Sequence, residues 1–301
     1  MHVRDQLYID GKWIDATGKG SIDVINPATE EIIGKVPIGS SEDVDKAVAA
    51  AKSAFEMWSK SDINHRIEVL NALSNAFKER GEELAQTITA EVGTPIGYSR
   101  VAMVGTPRVV SRSYAKILED FSWEEVVRNS LICKEPVGVC AFITPWNFPL
   151  HQIIGKVAPA IAAGCTMILK PSKEAPLSAF ILADILDDIG LPSGVFNLVS
   201  GHGSEIGNYM SSHPDVDMVS FTGSTGAGVS VSQSAAPTIK RVTLELGGKS
   251  ANVALDDADP ILVAKKAIGA CHQNSGQTCS ALTRLIIPEE MNEQICEIIA
   301  A

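Results

Sequence analysis

Val139-Cys140-Ala141-Phe142-Ile143-Thr144-Pro145-Trp146-Asn147-Phe148-Pro149 is the stretch from which the fold is read. Its first five residues form an uninterrupted apolar run of strand length, and the rest is a turn stiffened by two prolines. A strand that reads as continuously apolar is covered on both faces, as in a parallel sheet. Similar runs recur at Thr166 to Leu169, Val195 to Val199, Met218 to Phe221 and Arg241 to Leu246, with stretches of helical period between them. Parallel neighbours need crossover connections, so this β-α-β-α alternation predicts an α/β fold with a Rossmann-like parallel sheet. In such sheets ligands sit at the carboxyl ends of the strands.

Upstream of this core, Leu7 to Ile14 reads as a strand pair around an Asp10-Gly11 turn. Ser41 is placed to cap a helix through Val44, Ala47, Ala51 and Phe55, and one amphipathic pattern runs from Ile67 to Val92 with Gly93 as its stop. A third helix fills the region before Asp120. From Phe121 to Val137 the residues alternate around Arg128-Asn129-Ser130, which predicts a polar hairpin projecting from the body; such arms often serve in oligomer contacts. Downstream, Ala251 to Leu255 and Arg284 to Ile287 read as two more strands with their helices.

The chain has 301 residues, 45% hydrophobic and 20% charged, enough for a full core and for more than one domain. Its formal charge of −11, from 25 basic and 36 acidic residues without long runs, argues against a nucleic-acid or anionic-membrane surface. No segment approaches the roughly 18 to 20 apolar residues of a membrane span, and the opening residues lack a signal-type apolar core, so a cytoplasmic protein is expected. The six cysteines show no C-x-x-C spacing and are read as reduced thiols. Cys271-His272 and Cys279 lack a second ligand pair at metal spacing, so no metal is expected.

Several polar clusters fall at strand ends, each with two readings. Asn147, held between prolines, is either an Asx-type turn residue or a fixed hydrogen-bond donor. Lys170-Pro171-Ser172-Lys173 offers cations for phosphate or ribose hydroxyls, or is a solvated loop. Phe221-Thr222-Gly223-Ser224-Thr225-Gly226-Ala227-Gly228 opens a helix and could seat a phosphate on its N–H groups, though a tight turn alone explains it equally. Gly201-His202-Gly203 with Gly207 is read as purely structural. Glu245 lies inside an apolar strand, where burial would raise its pKa toward that of a general base unless Lys249 or Arg241 pairs with it. Cys279, in the turn Gly276-Gln277-Thr278-Cys279, is either a presented nucleophile or a packed core cysteine. A Cys–His hydrolase using His272 is a poorer reading because nothing in the sequence orients that histidine.

Taken in order, Pro145-Trp146-Asn147-Phe148-Pro149, Lys170-Pro171-Ser172, Phe221-Thr222-Gly223-Ser224-Thr225-Gly226, Glu245-Leu246-Gly247-Gly248-Lys249 and Gly276-Gln277-Thr278-Cys279 closely resemble the aldehyde dehydrogenase superfamily. The resemblance begins at Leu7-Tyr8-Ile9-Asp10-Gly11-Lys12-Trp13 and extends to the last residue. It implies oxidation of an aldehyde to a carboxylic acid with NAD or NADP. Cys279 is then the nucleophile, Asn147 with the Cys279 N–H holds the oxyanion, and Glu245 activates the water that hydrolyses the thioester, favouring hydrolysis over acyl transfer to coenzyme A. Lys170 is assigned to the adenosine ribose, Ser224 and the Gly223 to Gly228 turn to the pyrophosphate, and Trp146 to the site wall. Ile143, Thr144, Pro145, Ser172, Lys173, Phe221, Thr222, Gly226, Gly228, Leu246 and Gly247 complete the implied cofactor site.

Two departures from the family pattern matter. Lys173 stands where many NAD-preferring relatives carry Glu, removing an acceptor for the ribose 2′-OH and a charge that repels a 2′-phosphate, so NADP is expected to be accepted. The chain also stops inside what reads as a helix of the catalytic domain. The expected division is residues 1–117 and 138–247 as cofactor-binding domain, 118–137 as oligomerisation hairpin, and 248–301 as the start of an incomplete catalytic domain. The alternative to an active enzyme is therefore a fragment that binds nucleotide without turnover; a homo-oligomer is expected of a full-length form. Phe148, His151, Gln152 and Gly155 are expected on the helix that lines the substrate tunnel.

Overall fold

A computed structural model describes residues 2–301, which form two compact units dividing between Glu245 and Leu246. The first unit opens with strands β1 (His2–Val3), β2 (Gln6–Ile9), β3 (Lys12–Asp15), β4 (Ser21–Ile25) and β5 (Ile32–Pro37). Helices α1 (Ser41–Trp58), α2 (Ile63–Glu79), α3 (Gly81–Val92) and α4 (Ile96–Tyr98) follow, and a π-helical stretch at Ser99–Gly105 leads into α5 (Thr106–Glu119). The hairpin β6 (Glu124–Val127) and β7 (Ser130–Cys133) precedes the alternating core. That core runs β8 (Val139–Ile143), α6 (Pro149–Ala163), β9 (Thr166–Lys170), α7 (Leu177–Asp188), β10 (Phe196–Leu198), α8 (Asn208–Ser212), β11 (Met218–Gly223), α9 (Thr225–Ala235) and β12 (Arg241–Leu246).

The main sheet has seven strands in the order β12-β11-β8-β9-β10-β2-β3, and β11, β8, β9 and β10 pair in parallel. This is the α/β alternation expected from the apolar runs, and all five positions of β8 and of β9 are buried. The sheet is not wholly parallel: β2 and β3 add antiparallel to its edge. Their turn has only Asp10 (φ 54°) and Gly11 (φ 70°) between the strands, a geometry that allows no crossover. Buried Asn197 locks that turn to the core, accepting from the Asp10 N–H at 3.0 Å and donating to the carbonyls of Met167 and Gly194.

One side of the sheet is covered by α1, which packs on β8, β9 and β10 and continues into α8 and α9. The other is covered by α6 and α7, backed by α2, α3 and α5. Ile153, Ile154, Val157 and Ile161 put a fully buried stripe of α6 into this core. A buried branched side chain contributes roughly 1.5–3 kcal/mol relative to exposure, so the stripe fixes how α6 sits on the sheet.

Two helix expectations are corrected. The cap of α1 is Ser40, not Ser41: Ser40 Oγ accepts from the Glu42 N–H while Asp43 accepts from the Ser40 N–H, a reciprocal pair that Ser41 has no partner to make. The pattern from Ile67 to Val92 is two helices, because Arg80 (φ −94°, ψ 15°) leaves helical geometry while the apolar phase continues across it. Gly93, at φ 80°, ends α3 as expected.

The β6–β7 hairpin turns at Arg128-Asn129 and leaves every one of its strand positions exposed, Val126 and Leu131 included. The second unit, Leu246–Ala301, holds β13 (Ala251–Val253), α10 (Pro260–Cys271), β14 (Arg284–Ile286) and α11 (Asn292–Ala300). Its two strands pair in parallel, and Ala264, Met291 and Ile295 form a small core joined by Val263, Leu285, Ile287 and Ile298. Among the described residues no helix is long and apolar enough to cross a membrane.

Candidate functional site

Parallel pairing brings the carboxyl ends of β8, β9, β10 and β11 together, with Ile143 opposite Lys170 and Phe221, and Leu198 opposite Leu169. A cavity of about 310 Å³ opens there, lined by Ile143, Phe221, Gly203, Gly207, Ala227 and Val231. Lys170 is buried beside it, its Nζ donating to the Pro171 carbonyl at 2.8 Å. Burial, with a smaller push from the Lys173 charge, lowers its pKa from 10.5 to about 8. An ammonium sealed against a single carbonyl keeps two N–H donors for a further acceptor.

Around this lysine the neighbouring turns supply polar groups of matching kind. The Thr144 N–H donates to the Lys170 carbonyl at 3.1 Å, and the hydroxyls of Thr144 and Thr222 are sealed without partners at the ends of β8 and β11. Ser224 caps α9, accepting from the Ala227 N–H, so the opening of that helix stands next to the cavity. A Cβ at Gly223 would lie 2.5 Å from the tip of the Phe221 ring, so any side chain there would push that ring aside. Gly226 is exposed and Gly228 buried. An apolar slot, a helix N-terminus and a buried ammonium together fit a flat apolar ring, a phosphate and a sugar hydroxyl, the three parts of a nucleotide.

The outer residues of this group behave differently. Lys173 is exposed and pairs with Glu174 at 3.2 Å, and half-buried Ser172 accepts from the Glu174 N–H. The loop of Gly203 and Gly207, read from the sequence as purely structural, instead forms one wall of the cavity: a Cβ on Gly207 would touch Ile143 and Lys170. Ser204, Asn208 and Ser230 line it as well and carried no sequence signal beyond the Gly203-x-x-x-Gly207 spacing.

After β8, Pro145 and Asn147 are half-buried, Trp146 is exposed, and Phe148 is buried at the start of α6. Glu245 departs from expectation. It is exposed, not buried as the apolar flanks implied, because β12 is an edge strand whose positions alternate between exposed and half-buried. The buried titratable group nearby is Lys156 on α6, which the sequence reading missed inside an apolar helix. Its Nζ donates to Ser220 Oγ at 2.9 Å, and burial lowers its pKa to about 8 against the raising influence of the Glu245 charge. Leu246 is half-buried and Gly247 exposed as the chain leaves β12.

In the second unit, Asn274 (φ 52°), Ser275 (φ 58°) and Gly276 (φ 78°) are three successive left-handed residues, a conformation that costs a non-glycine residue roughly 1 kcal/mol or more. Asn274, itself buried, and Gln277 exchange side-chain-to-carbonyl hydrogen bonds that hold the turn, and Thr278 Oγ1 donates to the Gln273 carbonyl. This clasp leaves Cys279 exposed, so it is not a packed core thiol. His272 Nδ1 lies 3.1 Å from the Ile268 carbonyl one turn back, a contact that occupies the ring with its own helix. The described residues include no group of three His, Cys, Asp or Glu able to hold a metal.

The sequence model of the Aldehyde dehydrogenase family matches residues 13–301. A 3-succinoylsemialdehyde-pyridine dehydrogenase of Pseudomonas sp is 47% identical over 97% of this chain and 63% of its own length. Among solved structures, a mutant aldehyde dehydrogenase C from Pseudomonas syringae, complexed with NAD+ and octanal, superposes with a TM-score of 0.97 at 48% identity, covering 98% of this chain and 61% of that one. Betaine aldehyde dehydrogenase from Staphylococcus aureus, in complex with NAD+, gives 0.95 at 36% identity over 99% and 60%. The chain thus spans about three fifths of the length of these relatives.

Proposed function

The chain belongs to the aldehyde dehydrogenase family, and we propose on that premise that it carries the nucleotide site and the nucleophile of an NAD(P)-dependent oxidation of aldehyde to carboxylic acid. The observation that carries this reading is the exposed Cys279 thiol on a turn fixed by its own hydrogen bonds. Lys170, Ser224 and the walls of the 310 Å³ cavity supply the chemistry a dinucleotide needs.

In this mechanism the Cys279 thiolate forms a bond to the aldehyde carbon, and the carbonyl oxygen becomes an oxyanion. The Asn147 amide and the Cys279 N–H donate to that oxygen, each donor worth on the order of 10²- to 10³-fold in rate. A nicotinamide cofactor held by Lys170, Ser224 and the cavity walls would supply the hydride acceptor needed to take the Cys279-bound thiohemiacetal to the thioester. Glu245 then takes a proton from the water that attacks the thioester carbon, and the carboxylic acid leaves as the Cys279 sulfur is restored. General-base assistance of this kind is worth roughly 10²- to 10⁴-fold. The buried ammonium of Lys156 lies within charge range of Glu245, which raises the lysine's pKa against the larger, lowering effect of burial. The exposed hairpin Glu124–Cys133 is assigned to contacts between copies of a longer form.

Absorbance of reduced nicotinamide tests this directly, with a short aliphatic aldehyde and either NAD or NADP, beside Cys279→Ser. Reduction that the serine variant loses is the expected result; equal reduction by both refutes the assignment of Cys279. Because the chain spans three fifths of its relatives, a second reading is nucleotide binding without turnover. Cofactor binding with no reduction at all selects it.

A further inference from the structure

Two cysteines lie side by side inside the first unit. Strands β8 and β9 pair with Val139 opposite Thr166 and Cys140 opposite Met167, which sets Cys165, the residue before β9, beside Cys140 at the amino ends of both strands. Both side chains are buried, and the two thiols hydrogen-bond each other. Cys140 Sγ also lies 3.9 Å from the Gly138 carbonyl, a second acceptor for its proton. Neither thiol lines the cavity beside Lys170, and no step of aldehyde oxidation uses them.

The buried guanidinium of Arg66 lies against this pair. A Cβ on Gly164, the residue before Cys165, would stand 2.8 Å from Arg66 Nη1, so the glycine makes room for the cation. Arg66 donates to uncharged oxygens: Nε to Ser61 Oγ at 2.9 Å, Nη1 to the Ala162 carbonyl at 3.3 Å, and Nη2 to the carbonyls of Ser59 and Ser61 at 3.1 and 2.9 Å. Of the groups that favour its charge, Cys165 acts ahead of Asp62. Burial alone makes a thiol inert by raising its pKa. Here the hydrogen bond from Cys140, the backbone N–H groups of Gly138 and Val137 and the Arg66 charge outweigh burial and hold the Cys165 thiol below its ordinary range, while the same contact pushes Cys140 up. The pair is one thiolate and one thiol in contact. Arg66 also lines a cavity of about 550 Å³ with Phe55, Ile63 and Trp123, which ends one side chain from Cys165. With Cys165 itself 4% exposed, only a molecule about the size of water reaches its sulfur.

We propose that Cys165 is a modification site for hydrogen peroxide and that Cys140 is its resolving thiol, the two closing a disulfide between β8 and β9. In the first step the Cys165 sulfur bonds to one peroxide oxygen, the O–O bond breaks, and the departing hydroxide takes a proton from solvent to become water. Cys165 is then a sulfenic acid. In the second step the Cys140 sulfur attacks the Cys165 sulfur, the S–O bond breaks, and the hydroxyl leaves with the Cys140 proton as a second water. Two thiols lose two electrons and one peroxide gains them. The Arg66 guanidinium and the two backbone N–H groups stabilise the attacking thiolate, and the contact with Cys140 makes resolution faster than a second oxidation of the same sulfur. This chemistry is independent of turnover at Cys279.

The test uses the whole chain with its three exposed cysteines replaced, Cys133→Ser, Cys279→Ser and Cys296→Ser, which leaves Cys140, Cys165 and half-buried Cys271. The folded protein is treated with hydrogen peroxide at pH 7 and read by intact mass and by peptide mapping without reduction. The expected result is a loss of two hydrogens, located as a Cys140–Cys165 bridge and reversed by dithiothreitol. In the same background Cys140→Ala should stop at a single added oxygen on Cys165, trapped by dimedone. The bridge is read without that variant, so the test holds even where Cys140→Ala fails to fold. An unmodified pair at a peroxide concentration that oxidises Cys279 in the parent overturns the inference, as does a bridge that forms only once urea has unfolded the chain. Sulfinic acid on Cys165 with Cys140 still reduced, or a bridge to Cys271 instead, overturns it equally.

Discussion

Replacing Lys170 by Met should make the protein more stable and less able to hold its cofactor. Burial lowers the Lys170 pKa from 10.5 to about 8, which corresponds to roughly 3 kcal/mol against the ammonium in the folded chain. The hydrogen bond to the Pro171 carbonyl offsets about 1 kcal/mol of what a methionine would recover, leaving a gain of about 2 kcal/mol at pH 7. The sign with pH follows from linkage. The group's pKa is depressed in the folded state, so the unfolded chain binds more protons between about pH 8 and 10.5, and parental stability rises through that window as the ammonium is lost. The Met variant lacks this rise. Cofactor binding moves the other way, since a charge-assisted bond to a ribose hydroxyl is worth about 1.5–3 kcal/mol, or some 10- to 150-fold in Kd. Urea denaturation at pH 7 and pH 10, with calorimetric titration of NAD and NADP at pH 7, measures both arms. A variant less stable than the parent at pH 7, or one that binds either cofactor within about twofold of the parent, refutes the placement of Lys170 as a strained ligand-holding cation.

Glu91, near the end of α3, is buried against the start of α7, where it accepts from the N–H groups of Leu177 and Ser178, and desolvation still lifts its pKa to about 7. A raised carboxyl pKa stabilises the fold below pH 4.5 and is lost as pH rises through 7, so the parent should lose roughly 3 kcal/mol relative to Glu91→Gln across that window; superimposable pH profiles of the two would contradict it. Gly194 sits at φ 80° with the Ala50 carbonyl 2.7 Å and the Ala54 methyl 2.9 Å from where a Cβ would stand. Gly194→Ala should therefore destabilise by about 2–4 kcal/mol, left-handed strain and overlap with α1 combined, and an unchanged denaturation midpoint would show that α1 can yield. Lys173→Glu should shift preference toward NAD by restoring a ribose acceptor and repelling a 2′-phosphate; an unaltered NAD/NADP ratio of kcat/KM rules that out.

Much of the fold was legible because the physical cause is local. Five residues buried on both sides must read as Val-Cys-Ala-Phe-Ile, and a two-residue turn with positive φ must read as Asp-Gly, so β8 and the β2–β3 hairpin could be placed without coordinates. The break at Arg80 was not legible. Its residue type is a good helix former, and the apolar phase of α2 runs on into α3, so only the dihedral angles reveal it. The shift of the α1 cap from Ser41 to Ser40 has the same origin, two serines side by side and one carboxylate at the right distance from only the first.

The site divides along the same line. The sequence by itself determined which chemistry is present: the Cys279 turn, the Asn147 turn between prolines, Lys170 at the end of its strand and the glycines after Phe221 are all fixed by residue type and short spacing. Tertiary structure decided what surrounds them. It exposed Glu245 by putting β12 at the sheet edge, buried Lys156 and Lys170, and turned the Gly203 to Gly207 loop from a connection into a cavity wall. It also sealed His151 Nδ1 from solvent without a hydrogen-bond partner. Burial and desolvation depend on residues brought together from distant parts of the chain, and no window of sequence contains them.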